Sequence, residues 1–199
     1  LSETARAIGA VNTIVRRTDG TLWGDNTDAY GFSMLVQSSG AEIRGKKALI
    51  FGSGGASATA QYVLRQMGAR EVVVISRHGT NSYENLDRHA DTEIAVNTTP
   101  VGMYPKENLA PLHYLPHKTE YVFDAIYNPP VTATMRLANP RKTATRDGLY
   151  MLVMQAAHAQ TIWSGVTFEP ASCETILRRT YGKMAVKRLH EKYGKKNLV

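Results

Sequence analysis

The sequence predicts an α/β chain built on a doubly wound parallel sheet, with an antiparallel piece ahead of it. Three observations carry that expectation. Ala48-Leu49-Ile50-Phe51 is an apolar run that enters a glycine-rich turn, Gly52-Ser53-Gly54-Gly55-Ala56-Ser57, and a helix-like stretch over residues 58–67 follows. Val72-Val73-Val74-Ile75 repeats the buried-strand pattern after Gly68, which is placed as a helix stop. Ahead of both, residues 10–15 and 21–25 flank Asp19-Gly20, a hairpin turn signal.

The elements follow in order. After the hairpin, Asn26-Thr27-Asp28 caps a helix over residues 29–36, and Gly40-Ala41 leads into the parallel sheet. Beyond the second parallel strand, residues 83–90 read as a short helix and 92–96 as a third strand running into Asn97-Thr98-Thr99-Pro100. A fourth strand over 121–126 ends in Tyr127-Asn128-Pro129-Pro130, with a helix over 131–138 behind it. A short fifth strand near 143–145 leads into Asp147-Gly148 and a long helix over 149–163. A last helix over 171–193 carries Ile176, Leu177, Tyr181, Met184 and Leu189 as its apolar side.

Composition narrows the function classes. A chain of 199 residues that is 43% hydrophobic buries a sizeable core. Its net charge of +7 raises the question of nucleic acid, yet the basic residues scatter until Arg178, Arg179, Lys183, Lys187, Arg188, Lys192, Lys195 and Lys196. A solvated basic helix face accounts for that cluster, so no nucleic-acid partner is expected. Excess positive charge also suits anionic small ligands. No apolar run is long enough to span a membrane, and Cys173 is the single cysteine, which excludes an internal disulfide; a cytoplasmic location is expected. The histidines, His113 and His117 included, show no metal-ligand spacing.

The glycine turn has a specific chemistry. Small residues let a ligand approach the main chain, and the unpaired N–H groups of a new helix attract a diphosphate. A glycine turn alone also makes ordinary loops; here the strand before it and the helix after it favour a Rossmann-like dinucleotide site. The second strand ends in Ser76-Arg77-His78, where an NAD site would carry a carboxylate for the ribose hydroxyl. A guanidinium there can grip a 2′-phosphate, so Arg77, helped by Ser76 and by His78 or Thr80, indicates NADP. The alternative is a solvated arginine at a strand end.

Several separated stretches then stand together: Ile8-Gly9-Ala10-Val11-Asn12-Thr13, Gly24-Asp25-Asn26-Thr27-Asp28-Ala29-Tyr30-Gly31, the glycine turn, Asn97-Thr98-Thr99-Pro100-Val101-Gly102-Met103, and the stretch from Asp147 to Ala156. In order and interval they resemble the shikimate dehydrogenase family across nearly the whole chain. The resemblance implies three parts. Residues 1–40 would be a remnant of a substrate domain, 41–148 the NADP-binding domain, and 149–199 helices that return to the substrate domain.

It also implies roles. Gly52, Ser53, Gly54, Gly55 and Ala56 would hold the NADP diphosphate, Ser76 and Arg77 the 2′-phosphate, and Ala125 and Gly148 would meet the nicotinamide end. Asn12, Asp28, Tyr127 and Gln155 match positions that contact the substrate, shikimate or 3-dehydroshikimate. From the residues alone, Asn12 and Gln155 read equally as structural amides and Asp28 as a helix cap.

The family reaction is reversible NADPH-dependent reduction of 3-dehydroshikimate to shikimate, a step of aromatic amino-acid biosynthesis. In it a lysine paired with the aspartate at position 28 moves the hydroxyl proton. That lysine and a serine pair belong upstream of the Asn12 stretch, and neither Lys46, Lys47 nor Lys106 stands at a matching position. The expectation is therefore a portion of a dehydrogenase, inactive alone, with a non-catalytic NADP-binding module or a quinate/shikimate relative as alternatives. Leu1 is expected inside a helical segment. The unpartnered hairpin edge and C-terminal face would favour self-association, with a homodimer as one form of it.

Overall fold

The computed structural model describes residues 1–193. Helix α1, Glu3–Ile8, is capped by the Ser2 hydroxyl, which accepts from the Ala5 N–H, and stops at Gly9 with φ 77°. Leu1 thus precedes the helix rather than lying within it. Strands β1, Thr13–Arg16, and β2, Leu22–Asp25, pair antiparallel. Their turn is closed by Asp19, which accepts from the N–H and hydroxyl of Thr21 at 2.9 and 2.7 Å.

Helix α2, Thr27–Ser38, starts two residues earlier than its apolar pattern suggests. Asn26 is its cap, accepting from the Ala29 N–H, so the Asp28 carboxylate is not needed for capping. The α/β alternation then runs through β3, Lys47–Phe51; α3, Gly55–Gln66; β4, Glu71–Ile75; β5, Ile94–Asn97; and β6, Tyr121–Asp124. It finishes with α4, Ala133–Arg136; β7, Ala144–Arg146; α5, Leu149–Ser164; and α6, Pro170–Tyr193.

The parallel strands lie in the order β4-β3-β5-β6-β7. Chain order reverses between β3 and β5, and in such sheets a crevice for ligands opens beyond the carboxyl ends at that point. Alternation along the strands feeds two cores. Ile50, Ile94, Val96 and Phe123 pack with Phe32, Leu35 and Val36 of α2 and Val63 and Leu64 of α3. Leu49, Phe51, Val73, Ile75 and Val122 pack on the other face with Leu86, Leu112 and Met135.

Helices α2 and α5 touch backbone to backbone at Gly31. A Cβ there would stand 2.5 Å from the Met151 carbonyl oxygen and 2.9 Å from the Gln155 Cβ. Gly31 therefore sets the separation of the helices that carry Asp28 and Gln155.

Three elements differ from their sequence pattern. Residues 83–89 form a 3₁₀ helix, because Asn85 accepts from the Ser82 N–H at 3.0 Å and donates to the Thr80 carbonyl at 3.0 Å, competing with α-helical bonding. The helix expected over 131–138 shrinks to one turn, since Asn139 precedes Pro140 and its side chain instead accepts from the Arg141 N–H. On α6 the inward stripe is Cys173, Leu177, Tyr181 and Met184, while Ile176 is exposed. Lys195 and Lys196 lie outside the described residues, as do the side chains of Leu189 and Lys192. Among the described residues no helix is long and apolar enough to cross a membrane.

Candidate functional site

The glycine turn opens at the reversal point of the sheet. Gly52 has φ +105°, and its N–H donates to the Ile75 carbonyl at 2.9 Å, which seats the end of β4 beside the turn. A Cβ at Gly52 would come within 3.0 Å of both the Thr98 hydroxyl and the Thr99 methyl, so the strand ends close on one another only through glycine. Gly54 caps α3 without any side-chain hydrogen bond. No atom lies within 4 Å of a Cβ built on Gly54 or Gly55. First-turn N–H groups of α3 thus border an open cradle that side chains would fill. Ser53 is exposed, Ala56 half-buried, and Ser57 is buried in contact with Gln61.

Beside the cradle, Ser76 begins a loop closed by its N–H on the Asn81 carbonyl at 3.2 Å. The Ser76 hydroxyl donates to the His78 carbonyl at 2.7 Å, so it shapes the loop. Arg77 is exposed, and no carboxylate pairs with it among the described residues. Its charge reaches the Tyr83 phenol, whose pKa burial raises while Arg77 pulls it down. An exposed guanidinium at this strand end, with no carboxylate partner among the described residues, is open to an anion.

At the other end of the cleft, Gly148 is pressed on Ala125. A Cβ on Gly148 would lie 2.1 Å from the Ala125 carbonyl oxygen, and the Gly148 N–H donates to Ile126 at 3.0 Å. Next to this contact is a pocket of about 450 Å³ lined by Thr98, Thr99, Met103, Ala125, Tyr127 and Asn128, among others. Its framework was not singled out from the sequence. Asp124, fully buried at the end of β6, accepts from Asn97 at 3.0 Å and from Thr132 at 2.6 Å. Burial pushes the Asp124 carboxyl up to about 6 against the pull of those donors and of the Ile126 N–H, with Asp147 adding to the rise.

The substrate-matching residues divide. Asn12 and Gln155 come together through two buried threonines, Thr13 and Thr27, and Asp28 is the next residue after Thr27. Asn12 Oδ1 accepts from the Thr27 N–H at 2.9 Å and from the hydroxyls of Thr13 and Thr27 at 3.1 and 3.2 Å. Asp28 directly follows Thr27 in α2, close enough to the Asn12 side chain for Asn12 to pull its carboxyl pKa down. Gln155 Oε1 lies 3.3 Å from the Thr27 hydroxyl. Burial raises the Asp28 pKa, and the Asn12 contact opposes that rise. Tyr127 stands elsewhere, 40% exposed on the wall of the pocket near the β6 end. Thr13 and Thr27 sat within the recognised stretches, but only tertiary pairing of hairpin and α2 reveals them as the link.

Helix α5 connects both halves. Gly148 at its start touches Ala125, and Gln155, two turns on and about 10 Å along the axis, meets Thr27. The lysines named from the sequence lie elsewhere. Lys46 and Lys47 sit at the opposite end of β3, where Lys46 binds Glu120 at 2.6 Å and Lys47 binds Asp91 at 2.9 Å and Glu71 at 3.2 Å. Lys106 is exposed in the loop after β5.

No family model matches the chain. It is 34% identical over 190 residues to the NADP(+) shikimate dehydrogenase of Clostridium perfringens, a match covering 88% of this chain and 70% of that protein. Among solved structures, the chorismate mutase/shikimate 5-dehydrogenase fusion protein of Clostridium acetobutylicum superposes with a TM-score of 0.84 at 31% identity, over 92% of this chain and 71% of the other. Shikimate 5-dehydrogenase of Thermus thermophilus, solved with NADP(H) and shikimate, gives 0.74 at 30% identity, over 89% and 71%. Sequence identity over most of the chain, the parallel sheet and the glycine cradle at its reversal point agree: the chain belongs to the shikimate dehydrogenase family.

Proposed function

We propose that the chain carries the cofactor half, and part of the substrate half, of an NADP-dependent shikimate dehydrogenase. The observation that supports it most is the span of α5, which joins the Gly148–Ala125 contact beside the cofactor crevice to the Asn12–Thr27–Gln155 cluster. On this reading residues 41–148 bind the dinucleotide, and residues 1–40 and 149–199 belong to the substrate side. Gly52, Ser53, Gly54, Gly55 and Ala56 hold the diphosphate, and Arg77 with Ser76 takes the 2′-phosphate. Ala125 and Gly148 bound the nicotinamide, whose ring supplies hydride chemistry when bound.

The substrate is shikimate or 3-dehydroshikimate, with Asn12, Asp28, Tyr127 and Gln155 reading its hydroxyl groups. Amides and a phenol suit a polyhydroxylated ring, because each is left unpaired by an analogue that lacks the hydroxyl. Asp28 orients the proton-transfer lysine through charge, and a shuttle of that kind must reach the substrate oxygen within hydrogen-bond distance. Since Lys46 and Lys47 are engaged at the far end of β3, the 199-residue chain alone is expected to bind NADP without turning over. A cytoplasmic setting and a homodimer remain part of the proposal.

Two measurements test it. Titration calorimetry should show NADP bound in preference to NAD, and Arg77→Ala should erase the preference; tighter binding of NAD by the native chain overturns the Arg77 assignment. Following NADPH formation from NADP and shikimate should give no turnover, and activity from this chain alone would overturn the need for an additional lysine.

A further inference from the structure

We infer that Asp124 is a positioning residue for the nicotinamide end of the cleft, fixing the loops after β5 and β6 against the glycine turn. The inference rests on the dinucleotide reading above. It starts from a convergence of donors: Asp124 Oδ1 accepts from the Asn97 amide at 3.0 Å and the Ile126 N–H at 3.0 Å, while Oδ2 accepts from the Thr132 hydroxyl at 2.6 Å. Thr132 in turn caps α4 by accepting from the Met135 N–H at 3.2 Å.

Asn97 passes the constraint onward. Its Oδ1 accepts from the N–H and hydroxyl of Thr99 at 3.0 and 2.7 Å, and the Thr99 hydroxyl accepts from the Val101 N–H at 3.2 Å. Beside it the Thr98 hydroxyl donates to the Phe51 carbonyl at 2.7 Å. Thr98 and Thr99 then occupy the space that a side chain on Gly52 would need. One carboxylate thus couples the ends of β3, β5 and β6, and the loops it couples form the wall of the 450 Å³ pocket.

An apolar residue would pack a strand end with less desolvation. What keeps a hydrogen-bonding side chain here is three polar groups converging on it, from Asn97, Ile126 and Thr132. Asp124 is fully buried, so it acts on a ligand only through Asn97, Ile126 and their loops. The Arg77 loop and the first turn of α3 share none of these bonds. Loss of the hub should therefore disturb the nicotinamide end and spare the adenosine end.

That asymmetry supplies the test. Calorimetric affinities are measured for NADP and for adenosine 2′,5′-bisphosphate, which keeps the phosphorylated ribose and lacks the nicotinamide. Asp124→Ala should weaken NADP by about tenfold or more, as loss of charge-assisted hydrogen bonds implies, and leave the bisphosphate unchanged. Asp124→Asn should restore NADP affinity, because an amide oxygen can accept from Asn97 and Ile126 while its N–H donates to Thr132. If Asp124→Ala does not unfold cooperatively, Asn97→Ala, which leaves Asp124 two donors, should show the same split in smaller measure. Equal weakening of both ligands, or no weakening of either, in a folded variant overturns the inference. A native chain that binds neither ligand overturns the dinucleotide reading itself, a failure seen before any variant is made.

Discussion

The two ends of the cleft are built by different means. The proposed cofactor end is made of backbone: Gly52, Gly54, Gly55 and Gly148 either let chains touch or leave space, and Asp124 ties the loops from beneath. The proposed substrate end is made of side chains, with Asn12 and Gln155 held through Thr13 and Thr27 and Asp28 beside Thr27 in the chain. At Gly52 and Gly148 the backbone site has no room for added atoms, and at Gly54 and Gly55 an added side chain would fill open space instead. A side-chain site tolerates added volume but depends on each hydrogen bond. Substitutions should therefore separate the two ends by the kind of damage they cause.

The largest loss of stability is expected at the Gly148 contact. Gly148→Ala places a methyl group 2.1 Å from the Ala125 carbonyl oxygen, between two backbones that cannot rotate away. Overpacking of this kind costs about 3 kcal/mol or more. Gly31→Ala, which forces α2 from α5, should approach it. Urea denaturation measures both, and a Gly148→Ala midpoint equal to that of the native chain would show that this end yields as a side-chain site does.

Asp124 comes next, through pH. Its folded pKa of about 6 lies above the ordinary aspartate value of 3.8, so the native state binds the proton more tightly than the unfolded chain. Its contribution favours folding fully below pH 3.8 and is lost as pH rises toward 6. The difference is about 3 kcal/mol by linkage, an upper value for a buried group. Asp28 and Asp147, also raised mainly by burial, slope the same way, so the comparison must be with Asp124→Asn. Subtracting that variant's pH profile from the native one should leave a fall between pH 4 and 6. A flat difference would remove the electrostatic cost assigned to Asp124.

The contrast between the ends also explains what the sequence could reveal. Glycine requirements are local and steric, so the turn at Gly52, the hairpin at Asp19-Gly20 and the stop at Gly68 were readable from adjacent residues. The place of Arg77 just past the end of β4 was readable because that strand has a fixed distance from the turn. Asp124 was not, since its partners Asn97 and Thr132 become neighbours only when β5 pairs with β6 and α4 folds back. Thr27 looked like one more cap residue until the hairpin brought Asn12 to it. On α6, charge surrounds every apolar position, and packing on α5 selected Cys173 over Ile176 as the inward residue.

At the substrate end the expected effect is smaller and arises from lost bonding. Asn12→Ala removes the acceptor for the Thr27 N–H and for two hydroxyls, although Asn12 itself is exposed. Leaving such a donor without a partner costs about 1–2 kcal/mol, more than a surface substitution usually does. Thermal unfolding should show the loss, and Asn12→Asp, which keeps the acceptor, should recover part of it. No loss in Asn12→Ala would mean water replaces the amide, and the cluster would then be no more organised than an ordinary surface.

The smallest change in stability is expected where binding should suffer most. Gly55 begins α3, and nothing lies within 4 Å of a Cβ placed there. Alanine is the better helix former, so Gly55→Ala should raise the unfolding free energy by up to about 1 kcal/mol in the free chain. The same methyl enters the space reserved for the diphosphate, and NADP affinity should fall by about tenfold or more as the phosphate is pushed off the α3 N–H groups. Denaturation and calorimetry on one variant thus move in opposite directions. If Gly55→Ala keeps native NADP affinity, the open space over α3 is not where the diphosphate lies.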